Sequence, residues 1–151
     1  MRIGKSGPAM TGPFFRLRRI MDDSKTRILV VDDDRLMREV LTAILRSDGF
    51  DVVGEARDGH AALTQVGKLS PEVVCLDVNM PGLSGLEVLK SIQSASPETV
   101  VVMITGDATM ATVRDAVGNG AAGYIIKPFR AGHVGRAIRA AMKGAEDLPF
   151  G

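Results

Sequence analysis

The 151-residue chain has no tryptophan, one tyrosine and five phenylalanines. So few aromatics leave no stacking platform for single-stranded nucleic acid. A single cysteine, Cys75, excludes an internal disulfide. Its place inside an apolar run reads as a small buried hydrophobe. A reducing, cytoplasmic compartment fits that usage. No segment approaches the roughly 20 apolar residues of a membrane-spanning helix. Acidic residues are missing from the first 20 positions, which hold Arg2, Lys5, Arg16, Arg18 and Arg19. The whole chain carries a formal charge of +1, so the remainder sums to −4. A mildly acidic body gives no case for direct nucleic-acid binding.

The basic stretch reads as a disordered leader over residues 1–24, because Gly4, Gly7, Pro8, Gly12 and Pro13 disfavour regular structure. Phe14, Phe15, Leu17 and Ile20 are interrupted by arginines. A secretory signal would need an unbroken apolar stretch of roughly 7–15 residues. Met21-Asp22-Asp23-Ser24 reads as a natural beginning, which makes the leader an addition or a start placed too early. A basic arm that touches lipid or a partner is the lesser alternative.

What the chain does have is 45% hydrophobic and 25% charged residues, the balance of one soluble domain. That domain is expected over 25–145, with a short tail at 146–151. Apolar strand-like runs alternate with helical spacing. The runs are Ile28–Val31, a weaker one at Val52-Val53, then Val73–Leu76, Val100–Ile104 and Tyr124–Ile126. A helix is expected from Arg35 to Ser47, with Met37, Val40, Leu41, Ile44 and Leu45 on its buried face, Asp34 as N-cap and Gly49 as stop. The next carries Ala62, Val66 and Leu69. Ser84 caps a third, with Leu86, Leu89 and Ile92, which ends before Pro97. A fourth runs from about Ala108 to Val117, ended by Gly118-Asn119-Gly120. The last shows Val134, Ala137, Ile138, Ala141 and Met142. Continuous Val/Ile strands joined through helices imply an α/β fold, a five-stranded parallel sheet with five helices covering both faces.

Parallel strands bring their C-terminal ends to one edge, where sites form in open α/β sheets. Here those ends read Asp32-Asp33-Asp34, Asp77, Thr105 and Lys127. Asp32, Asp33 and Asp77 within a few ångströms would repel one another, and such a cluster persists when a cation binds or an acid is protonated. Carboxylates without His or Cys favour a hard cation such as Mg²⁺. Each residue alone has an ordinary explanation: capping for the aspartates, a turn for Thr105, a solvated charge for Lys127. Asp34 belongs to the capping explanation. Jointly they suit phosphoryl transfer to a carboxylate, with Asp77 as nucleophile and fixed cations on the transferred oxygens.

The runs Ile28-Leu29-Val30-Val31-Asp32-Asp33, Leu76-Asp77-Val78-Asn79-Met80-Pro81 with Gly85, Ile104-Thr105-Gly106 and Gly120–Phe129 resemble the receiver domains of two-component response regulators. The resemblance covers about residues 27–143. It implies a flavodoxin-like, doubly wound sheet in the order 2-1-3-4-5, an order that general descriptions of this fold take from a chemotaxis member of the family. It implies Asp77 as phosphoacceptor, Mg²⁺ held by Asp33, Asp77 and the Asn79 backbone carbonyl with Asp32 acting through water, and Lys127 paired with the phosphoryl group. Thr105 and Tyr124 match the family's switch pair, and a cis Lys127–Pro128 bond is implied. Asn79 and Asp107 match positions that tune phosphate lifetime, which sets the expectation of a short-lived acyl phosphate. The implied partners are a histidine kinase or phosphotransferase, and a downstream protein or a second copy at the 108–144 face.

Partner choice is assigned to surface residues of the first helix, such as Arg38, Leu41 and Arg46. Gly132 and Gly135 are expected to weaken the last helix, and His60 and His133 to lie on the surface. A stand-alone receiver is expected, with no separate output enzyme. Phosphatases that use an aspartyl phosphate need a second Asp where this chain has Asn79.

Overall fold

Successive strand residues face opposite sides of a sheet, and here both sides are apolar. In the computed structural model, which describes residues 25–106, 109–130 and 132–147, five parallel strands alternate with five helices. The strands are β1 (Arg27–Val31), β2 (Asp51–Ala56), β3 (Val73–Asp77), β4 (Val100–Thr105) and β5 (Gly123–Ile126). The helices are α1 (Arg35–Ser47), α2 (Gly59–Leu69), α3 (Gly85–Ala95), α4 (Met110–Gly118) and α5 (His133–Asp147). The sheet order is β2-β1-β3-β4-β5, all pairs parallel. Fold class and strand order are therefore those expected. The leader 1–24 and the last four residues lie outside the described residues.

Strand parity divides the core into two layers. Ile28, Val30, Cys75, Val102, Ile104 and Ile125 pack with Leu41 and Leu45 of α1 and Val134 and Ile138 of α5. Leu29, Val31, Val74, Leu76, Val101 and Met103 pack with Ala62 and Val66 of α2, Val88, Leu89 and Ile92 of α3 and Ala116 of α4. Each fully buried Leu or Ile contributes about 1.5–3 kcal/mol by leaving water. No helix among the described residues is long and apolar enough to cross a membrane.

Local chemistry sets the helix starts. Asp34 Oδ1 accepts from the backbone N–H of Leu36 at 2.9 Å, and Asp58 Oδ1 from that of Ala61 at 2.8 Å. Ser84 and Glu87 form a reciprocal capping box. Gly49 stands just past the end of α1 at φ +92°, a conformation that costs glycine little.

Three expectations need correction. Leu41 is 1% exposed, a core residue and not part of a recognition surface. Val40 is exposed, so the buried stripe of α1 is narrower than its spacing suggested. Gly132 precedes α5 instead of weakening it, and turns the chain at φ +81°. Gly135 is inside α5, where a Cβ would stand 2.8 Å from Asp48 Oδ2, so its small size admits the end of α1. His60 and His133 are both exposed, as expected.

Candidate functional site

The edge formed by the strand ends gathers Asp32 just past β1, Asp77 at the end of β3, Thr105 at the end of β4 and Lys127 just past β5. Asp32, Asp33 and Asp77 offer carboxylate oxygens within 4.8 Å of one another. Asp32 and Asp77 are buried and Asp33 is exposed, so the cluster opens to solvent on one side. Lys127 Nζ stands 3.0 Å from Asp32 Oδ2 and 3.7 Å from Asp77 Oδ2. The Lys127–Pro128 peptide is cis, as the resemblance implied.

Asp32 is held from several directions. Its backbone N–H donates to Ala56 O at 3.1 Å. Its Oδ1 accepts from Asp34 N–H at 2.9 Å. Its buried Oδ2 is ion-paired with the Lys127 ammonium at 3.0 Å. The Asp32 carbonyl accepts from Arg38 Nη1 at 2.7 Å. Asp77 Oδ1 accepts from the Asn79 backbone N–H at 3.2 Å, so Asn79 helps orient the carboxylate through its own backbone.

Electrostatics follow from this crowding. Burial pushes the Asp77 carboxyl up from 3.8 to about 6, and the neighbouring Asp32 charge adds to it. Lys127 and the Asn79 N–H oppose that rise. For Lys127, burial alone would lower the pKa, but contact with Asp32 and the charges of Asp77 and Asp33 turn the net shift upward. Three carboxylates against one ammonium leave an excess of negative charge. An all-oxygen donor set with that excess charge and one side open to solvent fits a hard divalent cation.

Thr105 is 2% exposed, and its carbonyl accepts from the Lys127 N–H at 2.8 Å, which ties β4 to the lysine. Tyr124 and Ile126 are 41% and 45% exposed on β5. Asp107 lies outside the described residues.

Two contributors had no role at this site assigned from the sequence. Arg38 carries no motif signal, yet its guanidinium reaches the Asp32 carbonyl. Gly85 begins α3 so close to β3 that a Cβ would fall against the Asp77 carbonyl oxygen and 2.8 Å from Val78 Cα. Its lack of a side chain lets α3 pack beneath Asp77.

A buried acidic pair, an outer carboxylate and a lysine on a 2-1-3-4-5 parallel sheet define a class of phosphoacceptor. Residues 28–139 match the response regulator receiver domain, and the chain belongs to that family. It is a receiver of two-component signalling, the domain that takes up a phosphoryl group. It is 39% identical over 131 residues to the DNA-binding response regulator MtrA of Mycolicibacterium smegmatis, covering 85% of this chain and 56% of that protein. The chain thus spans about half the length of the MtrA relatives it matches. It is 36% identical over 117 residues to the chemotaxis protein CheY of Listeria monocytogenes, covering 78% of this chain and 98% of that one. Among solved structures, the signal receiver domain of the putative response regulator NarL from Mycobacterium tuberculosis superposes with a TM-score of 0.75. It is 36% identical and covers 80% of this chain and 98% of that chain. Vibrio cholerae CheY4 gives 0.74 at 28% identity, covering 78% of this chain and 99% of that one.

Proposed function

We propose that Asp77 is the phosphoacceptor, served by Asp32, Asp33, Thr105 and Lys127, and that its phosphoryl donor is a phosphohistidine on a kinase or phosphotransferase. A carboxylate oxygen of Asp77 attacks phosphorus, the phosphorus–nitrogen bond breaks, and imidazole leaves. The observation that carries this reading is the placement of the Asp77 carboxylate, 3.7 Å from the Lys127 ammonium and within 4.8 Å of two further carboxylates. The Asn79 N–H on Oδ1 orients the nucleophile. Lys127, released from Asp32, meets the negative oxygens of the incoming group. Asp33, Asp77 and the Asn79 carbonyl would hold Mg²⁺, with Asp32 acting through water, and the ion would neutralise charge on the phosphoryl oxygens.

Thr105 then turns its hydroxyl toward the acyl phosphate and Tyr124 follows inward, a population shift between two packings. The 108–144 face carries that change to a downstream protein or a second copy. Asn79, exposed beside the nucleophile, and Asp107 admit and orient the water that ends the signal, so the acyl phosphate is short-lived.

Intact mass after incubation with acetyl phosphate and Mg²⁺ tests the core of this reading. The expected result is a gain of one phosphoryl group that disappears in Asp77→Asn and in EDTA. No gain in the wild type under any Mg²⁺ concentration sinks it. Persistence of the phosphorylated protein for many hours in Mg²⁺ contradicts the short lifetime.

A further inference from the structure

We infer that Arg38 is a positioning residue for the acidic pocket, fixing the Asp32–Asp33 peptide so that Asp33 emerges toward the other carboxylates. The inference rests on the reading of Asp32, Asp33 and Asp77 as a Mg²⁺ site.

Arg38 sits on α1, one turn past the Asp34 cap. Its side chain is only 16% exposed, unlike Arg35, which is 84% exposed and pairs with Glu39 along the helix surface. Two arms of one guanidinium are engaged. Nη1 donates to the Asp32 carbonyl at 2.7 Å, and Nε donates to Glu55 Oε1 at 3.2 Å. Glu55 lies near the end of β2, so one planar group ties α1, the end of β1 and the end of β2 together.

The carbonyl it grips belongs to the peptide between Asp32 and Asp33. That peptide plane sets where the Asp33 Cα stands and which way its side chain leaves the backbone. Asp32 is anchored through its N–H, its Oδ1 and its Oδ2 contact with Lys127. Asp33 is exposed and takes its direction from the peptide that precedes it. A lysine could supply charge at this position but not two donors in a fixed fork. Glu55 balances the guanidinium, so Arg38 does not add an uncompensated positive charge beside the site. These contacts make Arg38 part of the site's support, and unfit it for the partner-recognition role that its place on the first helix suggested.

Calorimetric Mg²⁺ titration of the unphosphorylated full chain tests this, with urea midpoints in EDTA alongside. Support of metal ligands by a neighbouring shell sets the scale, so Arg38→Met and Arg38→Lys are each expected to weaken Mg²⁺ binding about tenfold. Glu55→Gln is expected to weaken it less, and Arg46→Met, exposed on the same helix, to leave it unchanged. In NMR spectra without metal, the Asp33 and Asp34 amides are expected to shift in Arg38→Lys. The inference is overturned if either Arg38 variant binds within about twofold of wild type, or if Arg38→Met binds more tightly, since the guanidinium would then act only as a repelling charge. Equal weakening in Arg46→Met overturns it as well, as does weakening matched by an equal loss of stability in EDTA. A wild type that binds no Mg²⁺ removes the metal reading itself, and this inference with it.

Discussion

Burial raises the Asp77 pKa to about 6 against 3.8 for the free side chain, and the sign of the consequence follows by linkage. The folded state binds this proton more tightly than the unfolded state does, so the metal-free fold gains stability as pH falls through about 6 toward 4. Above pH 6 the charged carboxylate opposes folding, and Asp77→Asn removes that opposition. Urea midpoints in EDTA are therefore expected to favour Asp77→Asn over wild type at pH 7.5, by a margin that narrows by pH 5. A margin that does not change with pH would contradict the raised pKa. Gly85 makes a second residue-scale case. Because a Cβ there meets backbone and not a flexible side-chain tip, Gly85→Ala is expected to cost about 3 kcal/mol in urea denaturation. How much was legible in the sequence divides along the same line. The residues at the strand ends could be read because parallel topology carries strand ends to one edge. Arg38 and Gly85 could not, because their roles depend on which backbone atoms come near, and no periodicity encodes that.

At the level of the element, spacing located all five helices of the described residues and fixed the bounds of α1. It did not fix which residues on a face are buried. Val40 and Leu41 are successive residues about 100° apart around the helix, and α1 meets the sheet and α5 along a stripe that takes in Leu41 and Leu45 but leaves Val40 at its rim. The contrast between the two glycines of α5 is informative for the same reason. Gly144 has nothing within 4 Å of a built Cβ, whereas Gly135 faces Asp48 Oδ2 at 2.8 Å and Arg139 Nη1 at 3.0 Å. Arg139 also donates to the Asp48 carbonyl at 3.0 Å and lies 5.1 Å from the centre of the Phe50 ring. Gly144→Ala is expected to raise stability by about 0.5–1 kcal/mol through helix propensity. Gly135→Ala is expected to gain nothing or lose stability, because it forces the ends of α1 and α5 apart. Thermal midpoints of the two variants compare them directly, and an equal gain in both would show that the close approach at Gly135 carries no constraint.

The whole molecule is built around β3, which lies at the centre of the sheet, has all five residues buried and ends on Asp77. Cys75, two positions before that carboxylate, is fully buried, with its thiol pushed up to about 12. As the chain's only thiol, it makes the molecule its own stopwatch. A water-soluble disulfide reagent can reach it only when the central strand opens, so the modification rate records how often the entire fold lets go. No label has to be introduced and the signalling edge is left untouched. Mg²⁺ at about a hundred times its dissociation constant is expected to slow that rate about a hundredfold, the kinetic image of about 2.7 kcal/mol of binding linkage. Unchanged timing would mean that the strand opens without releasing the cation. Run before and after phosphorylation, the same clock reports how firmly the acyl phosphate holds the sheet closed.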